Sequence, residues 1–200
     1  ESDLASCAYT IMVSNEAALS VLKIMTYGPD ILLSKSMRGA KGAVKSGDYA
    51  AAFAARGLDS DDAVNSVEWR LAEVPAANGH GTAASLAKLY GVLSNGGSRN
   101  GQHLLKPETI KHVTSVHSGG PDTVLFGLPY QFGLGYMVNA PLTHIVVKPG
   151  MFGHTGIGGE VTFGDLNNNL GFSFVNNRQH NIGNLYKTAN NLSKALYNVL

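Results

Sequence analysis

The clearest pattern in the chain lies between Thr82 and Gly96. Leu86, Leu89, Tyr90 and Leu93 fall at i, i+3, i+4 and i+7, a single apolar stripe that predicts a helix over 83–95. Thr82 supplies an N-cap for the free N–H groups of the first turn, and Gly96 stands where a left-handed residue closes a helix. Pro107 suits the first turn of a shorter helix carrying Ile110 and Val113. The period then drops to two. Phe132, Leu134, Tyr136 and Val138 alternate with Gly133, Gly135 and Met137, as one strand packed on one face would. Val161 and Phe163 open a second strand, and Leu170, Phe172 and Phe174 a third. Asn167-Asn168-Asn169 between them predicts a hairpin turn, because Asn tolerates positive φ. Leu185, Ala189, Leu192, Leu196 and Val199 predict a terminal helix with a buried stripe. Helices, a meander of strands and a closing helix imply an α+β fold, an antiparallel sheet flanked by helices, and not a βαβ wind.

The first third is less legible. It is Ala- and Ser-rich and reads as helical, yet Ala17, Leu19, Val21, Leu22, Ile24 and Met25 keep no clean period, and Gly28-Pro29 ends the segment. A second helical stretch runs near Asp48 to Arg56 and is closed by Gly57. Neither a repeat nor a catalytic signature occurs there. The division that follows is a helical connecting region over 1–64 and a C-terminal α+β part over 65–200, both in one domain.

Composition narrows the function. In 200 residues, 44% are hydrophobic and 14% charged, enough for a real core and against disorder. Net charge is +1 with Lys and Arg scattered, so no surface tracks phosphates and nucleic acid is not an expected partner. No apolar run reaches the length of a membrane span. Glu1-Ser2-Asp3 does not have the layout of a secretion signal, and the compartment is unknown, with a lean to the cytoplasm. Cys7 is the only cysteine, which excludes an internal disulfide framework and a thiolate zinc site. His112 and His117 have neither the i, i+4 spacing nor the adjacent Glu of a zinc helix, so they read as surface residues and no metal or cofactor is expected. Gly79-x-Gly81-x-x-Ala84 follows a Pro-containing stretch instead of an apolar strand, which argues against a dinucleotide loop. A Gly-x-Ser-x-Gly elbow is absent, against an α/β-hydrolase.

The segment with the most chemical content is Phe152-Gly153-His154-Thr155-Gly156-Ile157-Gly158-Gly159, placed between two predicted strands at the lip of the sheet. A hydroxyl beside a glycine at a sheet edge lets a carbonyl group approach the backbone unobstructed. Among seven histidines a His-Thr-Gly tripeptide carries little by itself, and a Gly-rich turn with an exposed His is its plain structural reading. Its context adds to it. Pro75-Ala76-Ala77-Asn78-Gly79-His80-Gly81-Thr82-Ala83 runs into Leu86-Ala87-Lys88-Leu89-Tyr90. Phe132-Gly133-Leu134-Gly135-Tyr136 precedes the His-Thr-Gly strand, and Gly171-Phe172-Ser173-Phe174-Val175-Asn176-Asn177-Arg178 precedes the last helix. Together these segments resemble the serine β-lactamase, DD-peptidase and related esterase superfamily over residues 68–200, its esterase branch in particular. The third motif of that superfamily is Lys-Thr-Gly or His-Thr-Gly on an edge strand.

The resemblance implies specific roles. The backbone N–H of Ile157 would form half of an oxyanion hole, Thr155 would orient the bound acyl group through its hydroxyl, and Gly156 would keep the approach clear. Asn78 and Gly79 would line the cleft from the other side, unless they form only a helix-entry turn. His154 takes the place of a lysine. Lysine is a fixed cation suited to a substrate carboxylate, whereas a free imidazole is mostly neutral at pH 7, so the exchange points to neutral esters or amides.

The superfamily's nucleophile is the Ser of Ser-x-x-Lys, assisted by a Tyr in a motif such as Tyr-x-Asn. Ser20-Val21-Leu22-Lys23 matches the first by letters but lies too close to His154, and a solvated helix face accounts for it. Tyr-x-Asn does not occur. The expectation is an incomplete domain, with the nucleophile on an N-terminal segment outside these residues and no acylation by the chain alone. Expected partners are a small ester or amide substrate and a complementary N-terminal segment or second copy. A non-catalytic scaffold of the same fold and a β-lactamase or DD-peptidase activity are the alternatives.

Overall fold

The computed structural model describes residues 27, 29–32, 38, 41–42, 45, 61–122, 125, 128–140, 148–180 and 184–200. Ser20, Lys23 and the stretch near Asp48 to Arg56 lie outside the described residues, as does most of the 1–64 region. A 3-10 helix spans Asp30–Leu32, and from residue 61 onward the described helices are α1 (Asp61–Asn65), α2 (Val67–Leu71), α3 (Ala83–Ser94), α4 (Pro107–Val113) and α5 (Lys187–Tyr197). The strands are β1 (Ser98–Arg99), β2 (Gln102–His103), β3 (Ser118–Pro121), β4 (Pro129–Phe132), β5 (Met137–Asn139), β6 (Met151–Thr155), β7 (Val161–Asp165) and β8 (Leu170–Phe174). Strands β3 to β8 form one sheet in chain order, each antiparallel to the next. The α+β architecture expected from the pattern is the one observed.

Alternation along the strands separates two apolar layers. Phe152 faces Leu93 of α3 and Ile110 of α4, with Tyr90, Tyr136 and Val138 around it. Met151, Val161 and Phe163 face the other way and meet Tyr186 and Ala189 at the start of α5. The helices hold the sheet differently. Thr82 and Ser85 cap α3 reciprocally, each side chain accepting from the other's backbone N–H at 3.1 Å. Its far end lies so close to β8 that a Cβ on Gly171 would come within 2.2 Å of Ala87 O and Gly91 N. Ser94 Oγ then donates to Leu170 O at 2.7 Å.

Helix α5 is placed by hydroxyls. Tyr197 Oη donates to Asp165 Oδ2 at 2.6 Å, and Tyr186 Oη donates to Thr155 Oγ1 at 3.3 Å. The two tyrosines are about three helical turns apart and share a face. This corrects the expected stripe. Ala189 and Ser193 are buried, while Leu192 is 49% and Val199 81% exposed. The anchors at its two ends, not its leucines, set the rotation of α5.

The expected single strand through Phe132, Leu134, Tyr136 and Val138 is instead a bend between β4 and β5. Gly133 N–H donates to Tyr136 O at 2.8 Å and Gly135 adopts φ +82°. The tail of α4 fits into the bend: Leu134 N–H donates to Val113 O at 2.8 Å, and a Cβ on Gly133 would lie 2.1 Å from that oxygen. A side chain at position 133 would break the contact, so the glycine that reads as strand alternation is a docking point. The β1–β2 hairpin turns on Asn100-Gly101, with φ of +49° and +79°. That dipeptide is a strong hairpin signal, which the apolar pattern alone does not raise. The expected Asn167–Asn169 turn is present, but one Asp organises it. Asp165 Oδ1 accepts from the N–H groups of Asn167 and Asn168, and Asn169 takes φ +51°.

Two outcomes follow. Gly171→Ala destabilises the fold by about 1–3 kcal/mol, the usual range for forcing an atom into a filled core, as urea denaturation will register. Burial pushes the Asp165 carboxyl up, but hydrogen bonds from Tyr197, Asn168 and the backbone N–H groups of Asn167 and Asn168 outweigh it and hold it below its ordinary value. A carboxyl lowered in this way stabilises the fold above its unfolded pKa, and the contribution is lost as pH falls through the folded one. Tyr197→Phe therefore lowers stability by about 1 kcal/mol at pH 7. The gap narrows below about pH 4, measured by denaturation across pH.

Candidate active site

Five successive pairs, Met151↔Asp165 to Thr155↔Val161, fix the β6–β7 hairpin, and the His-Thr-Gly segment ends it. The turn closes through Gly156 N–H to Glu160 O at 2.8 Å and Gly159 N–H to Gly156 O at 3.1 Å. Gly159 has φ +105°. The Glu160 carboxylate occupies the inside of the loop. A Cβ on Gly156 would stand 2.4 Å from Oε2, and one on Gly158 2.5 Å from Oε1. A side chain at 156 or 158 would displace the Glu160 carboxylate, whereas Gly159 is required by its positive φ. The Gly158 carbonyl is held twice from behind, by His180 N–H at 2.8 Å and by Asn176 Nδ2 at 3.2 Å.

On this held loop Ile157 is 70% exposed, and its N–H makes no hydrogen bond among the described residues. Thr155 is half-buried beside it. Its Oγ1 accepts from Tyr186 Oη and donates to Met137 Sδ at 3.8 Å. Burial pushes the Tyr186 phenol up, the Thr155 hydrogen bond opposes this, and the nearby Glu160 charge adds a smaller upward push. The phenol therefore stays protonated and remains a donor. His154 is exposed, and its Nδ1 lies 2.9 Å from Thr155 O. Strand alternation sends its side chain to the opposite face from that of Thr155. An N–H with no hydrogen bond among the described residues and a hydroxyl with a weak acceptor, two positions apart on one Gly-rich turn, are groups that can receive a carbonyl oxygen.

One expectation is corrected. The His-Thr-Gly strand is not an edge strand, because β6 lies between β5 and β7. Its partner β5 begins at Met137, which pairs with Gly153, so His154 and Thr155 run past the start of β5. The opening is a local one at the end of an inner strand.

The structure gathers His154, Thr155, Gly156 and Ile157 on one turn, but it occupies the amide of Asn78 elsewhere. Asn78 Nδ2 donates to Trp69 O at 2.7 Å and to Ala72 O, and Oδ1 accepts from Val74 N–H at 3.1 Å. This ties off the end of α2. No hydrogen bond among the described residues joins Asn78 or Gly79 to the 153–160 turn. Glu160, Asn176, Tyr186 and Met137 were not singled out in the sequence. Glu160 directly after Gly158-Gly159 was a readable signal; Tyr186 and Met137, distant in the chain, gave none. Among the described residues no group of three or more His, Cys, Asp or Glu could hold a metal, and no helix is long and apolar enough to cross a membrane.

Comparison with known proteins places the chain among related sequences and folds. The family described as Beta-lactamase matches residues 34–196. The esterase/beta-lactamase LipL of Mycobacterium tuberculosis is 39% identical over 108 residues, 54% of this chain and 24% of that protein. A penicillin-binding protein homolog from Caulobacter crescentus superposes with TM-score 0.53 at 38% identity, covering 57% of this chain and 30% of that one. A family VIII carboxylesterase does so with TM-score 0.55 at 31% identity, covering 61% and 32%. The chain thus spans 24% to 32% of the length of these relatives. With a family match across most of its length, the chain belongs to the β-lactamase family.

Proposed function

We propose that this chain is the carbonyl-receiving part of a serine acyl hydrolase that cleaves neutral carboxylic esters. The observation that carries the reading is the Ile157 N–H, which makes no hydrogen bond among the described residues, two positions from Thr155 on the same Gly-rich turn. Such donors stabilise the negative charge that grows on a carbonyl oxygen during attack, and they act best when held in place beforehand. An esterase/beta-lactamase and a carboxylesterase among the relatives support an ester as substrate. His154 in place of a lysine leaves no fixed cation on this strand for a substrate carboxylate.

Acylation needs a nucleophile with a base beside it. Neither Tyr-x-Asn nor a Ser-x-x-Lys at suitable distance from His154 occurs in these residues. In this reading both come from other polypeptide, and the chain alone does not turn over substrate.

Fusing the Ser-x-x-Lys-bearing portion of a family member ahead of this chain is expected to give turnover of p-nitrophenyl butyrate that neither piece shows separately. Thr155→Val in the fusion then lowers kcat by roughly tenfold, about one hydrogen bond in the transition state. A fusion that folds, shown by a cooperative melt, and stays inert would overturn the proposal. His154→Lys restores the fixed cation, so the rate on nitrocefin relative to the ester should rise; an unchanged ratio would remove His154 from substrate choice.

A further inference from the structure

We infer that Tyr186 is a positioning residue: it fills a lone pair of Thr155 Oγ1 and so leaves the threonine's own proton to be given to a bound acyl group. The inference rests on the functional reading above and adds to it a residue from a distant part of the chain.

The backbone supplies the first observation. Tyr186 adopts φ +62° and ψ 0° at the start of α5, a left-handed conformation that is uncommon for any residue but glycine and most unusual for a bulky one. It caps nothing with its side chain. A strained residue persists where the surroundings determine its place, and such residues gather at functional sites. The strain here delivers the ring to the inner layer, where Tyr186 is 6% exposed, with its hydroxyl beneath the Gly-rich turn.

The direction of the proton is the second. A threonine hydroxyl has one proton and two lone pairs. If Thr155 donated to Tyr186, its proton would be used up inside the protein. The buried phenol keeps its proton, and it is placed as the donor to Thr155 Oγ1. The remaining acceptor for Thr155 is Met137 Sδ at 3.8 Å, and a thioether is a weak one that a carbonyl or alkoxide oxygen easily replaces. The Tyr186–Thr155 separation of 3.3 Å is long for a hydroxyl pair, as catalytic hydrogen bonds often are before the ligand arrives.

Tyr186→Phe removes the hydroxyl and keeps the ring. In the fusion enzyme it is expected to lower kcat by roughly tenfold at nearly constant KM. Adding Thr155→Val to it should cause little further loss, since both remove one device. Melting temperature distinguishes this from simple destabilisation and should fall by no more than a few degrees. A second readout needs no activity. Three-bond couplings to the Thr155 methyl carbon in this chain should report one χ1 rotamer, and averaging among rotamers after Tyr186→Phe. A Tyr186→Phe enzyme with wild-type kcat, or a Thr155 rotamer unmoved by the substitution, would overturn the inference. An inert wild-type fusion would instead sink the functional reading, and the rotamer measurement would still judge Tyr186.

Discussion

The structure depends on the register between β6 and β7. Five consecutive antiparallel pairs bring Thr155 opposite Val161 and leave five residues to reverse the chain. Glu160 turns inward during that reversal, and its carboxylate takes the space that side chains at 156 and 158 would need. Gly159 completes the reversal with a positive φ, and the Ile157 N–H is left without a hydrogen bond among the described residues. A slip of one residue would put Thr155 on the face of Phe152 and carry it away from Tyr186 and Met137.

Each layer around the sheet supports that hairpin by a different means. On one side α3 is bound by close backbone contact at Gly171 and by Phe152 between Tyr90 and Tyr136, with ring centroids 5.8 and 5.1 Å away. This is dispersion and burial, dense and insensitive to pH. On the other, α5 is held at both ends by tyrosine hydroxyls, one on a carboxylate in the β7–β8 turn and one on Thr155. Polar anchors have direction where apolar contacts do not, so they fix the rotation of the helix and, through it, the hydroxyl under the site. The same helix thus joins the core to the candidate chemistry.

Helices and strands with regular spacing were legible in the sequence because one side of each is buried and its side chains repeat at the period of the element. The caps of α3, the proline in the first turn of α4, the meander and its antiparallel order, and the glycine turn after Thr155 all followed from residue type and spacing. The Phe132–Val138 segment failed for an equally physical reason. Glycines at alternate positions satisfy a strand pattern, but Gly135 takes a positive φ and Gly133 admits the Val113 carbonyl, and neither need shows in a period. The α5 stripe failed because a count of leucines ignores hydroxyls, and two tyrosines outweighed Leu192 and Val199.

By itself the sequence determined the α+β class, the place of the Gly-rich turn and the residues on it, since these depend on neighbours along the chain. Tertiary structure alone decided that β6 is an inner strand open only at its end, that Asn78 ties off α2, and that Tyr186 and Met137 meet at Thr155. Those contacts join residues 18 and 31 positions apart, and such pairings are set by the packing of whole layers, which no local pattern encodes.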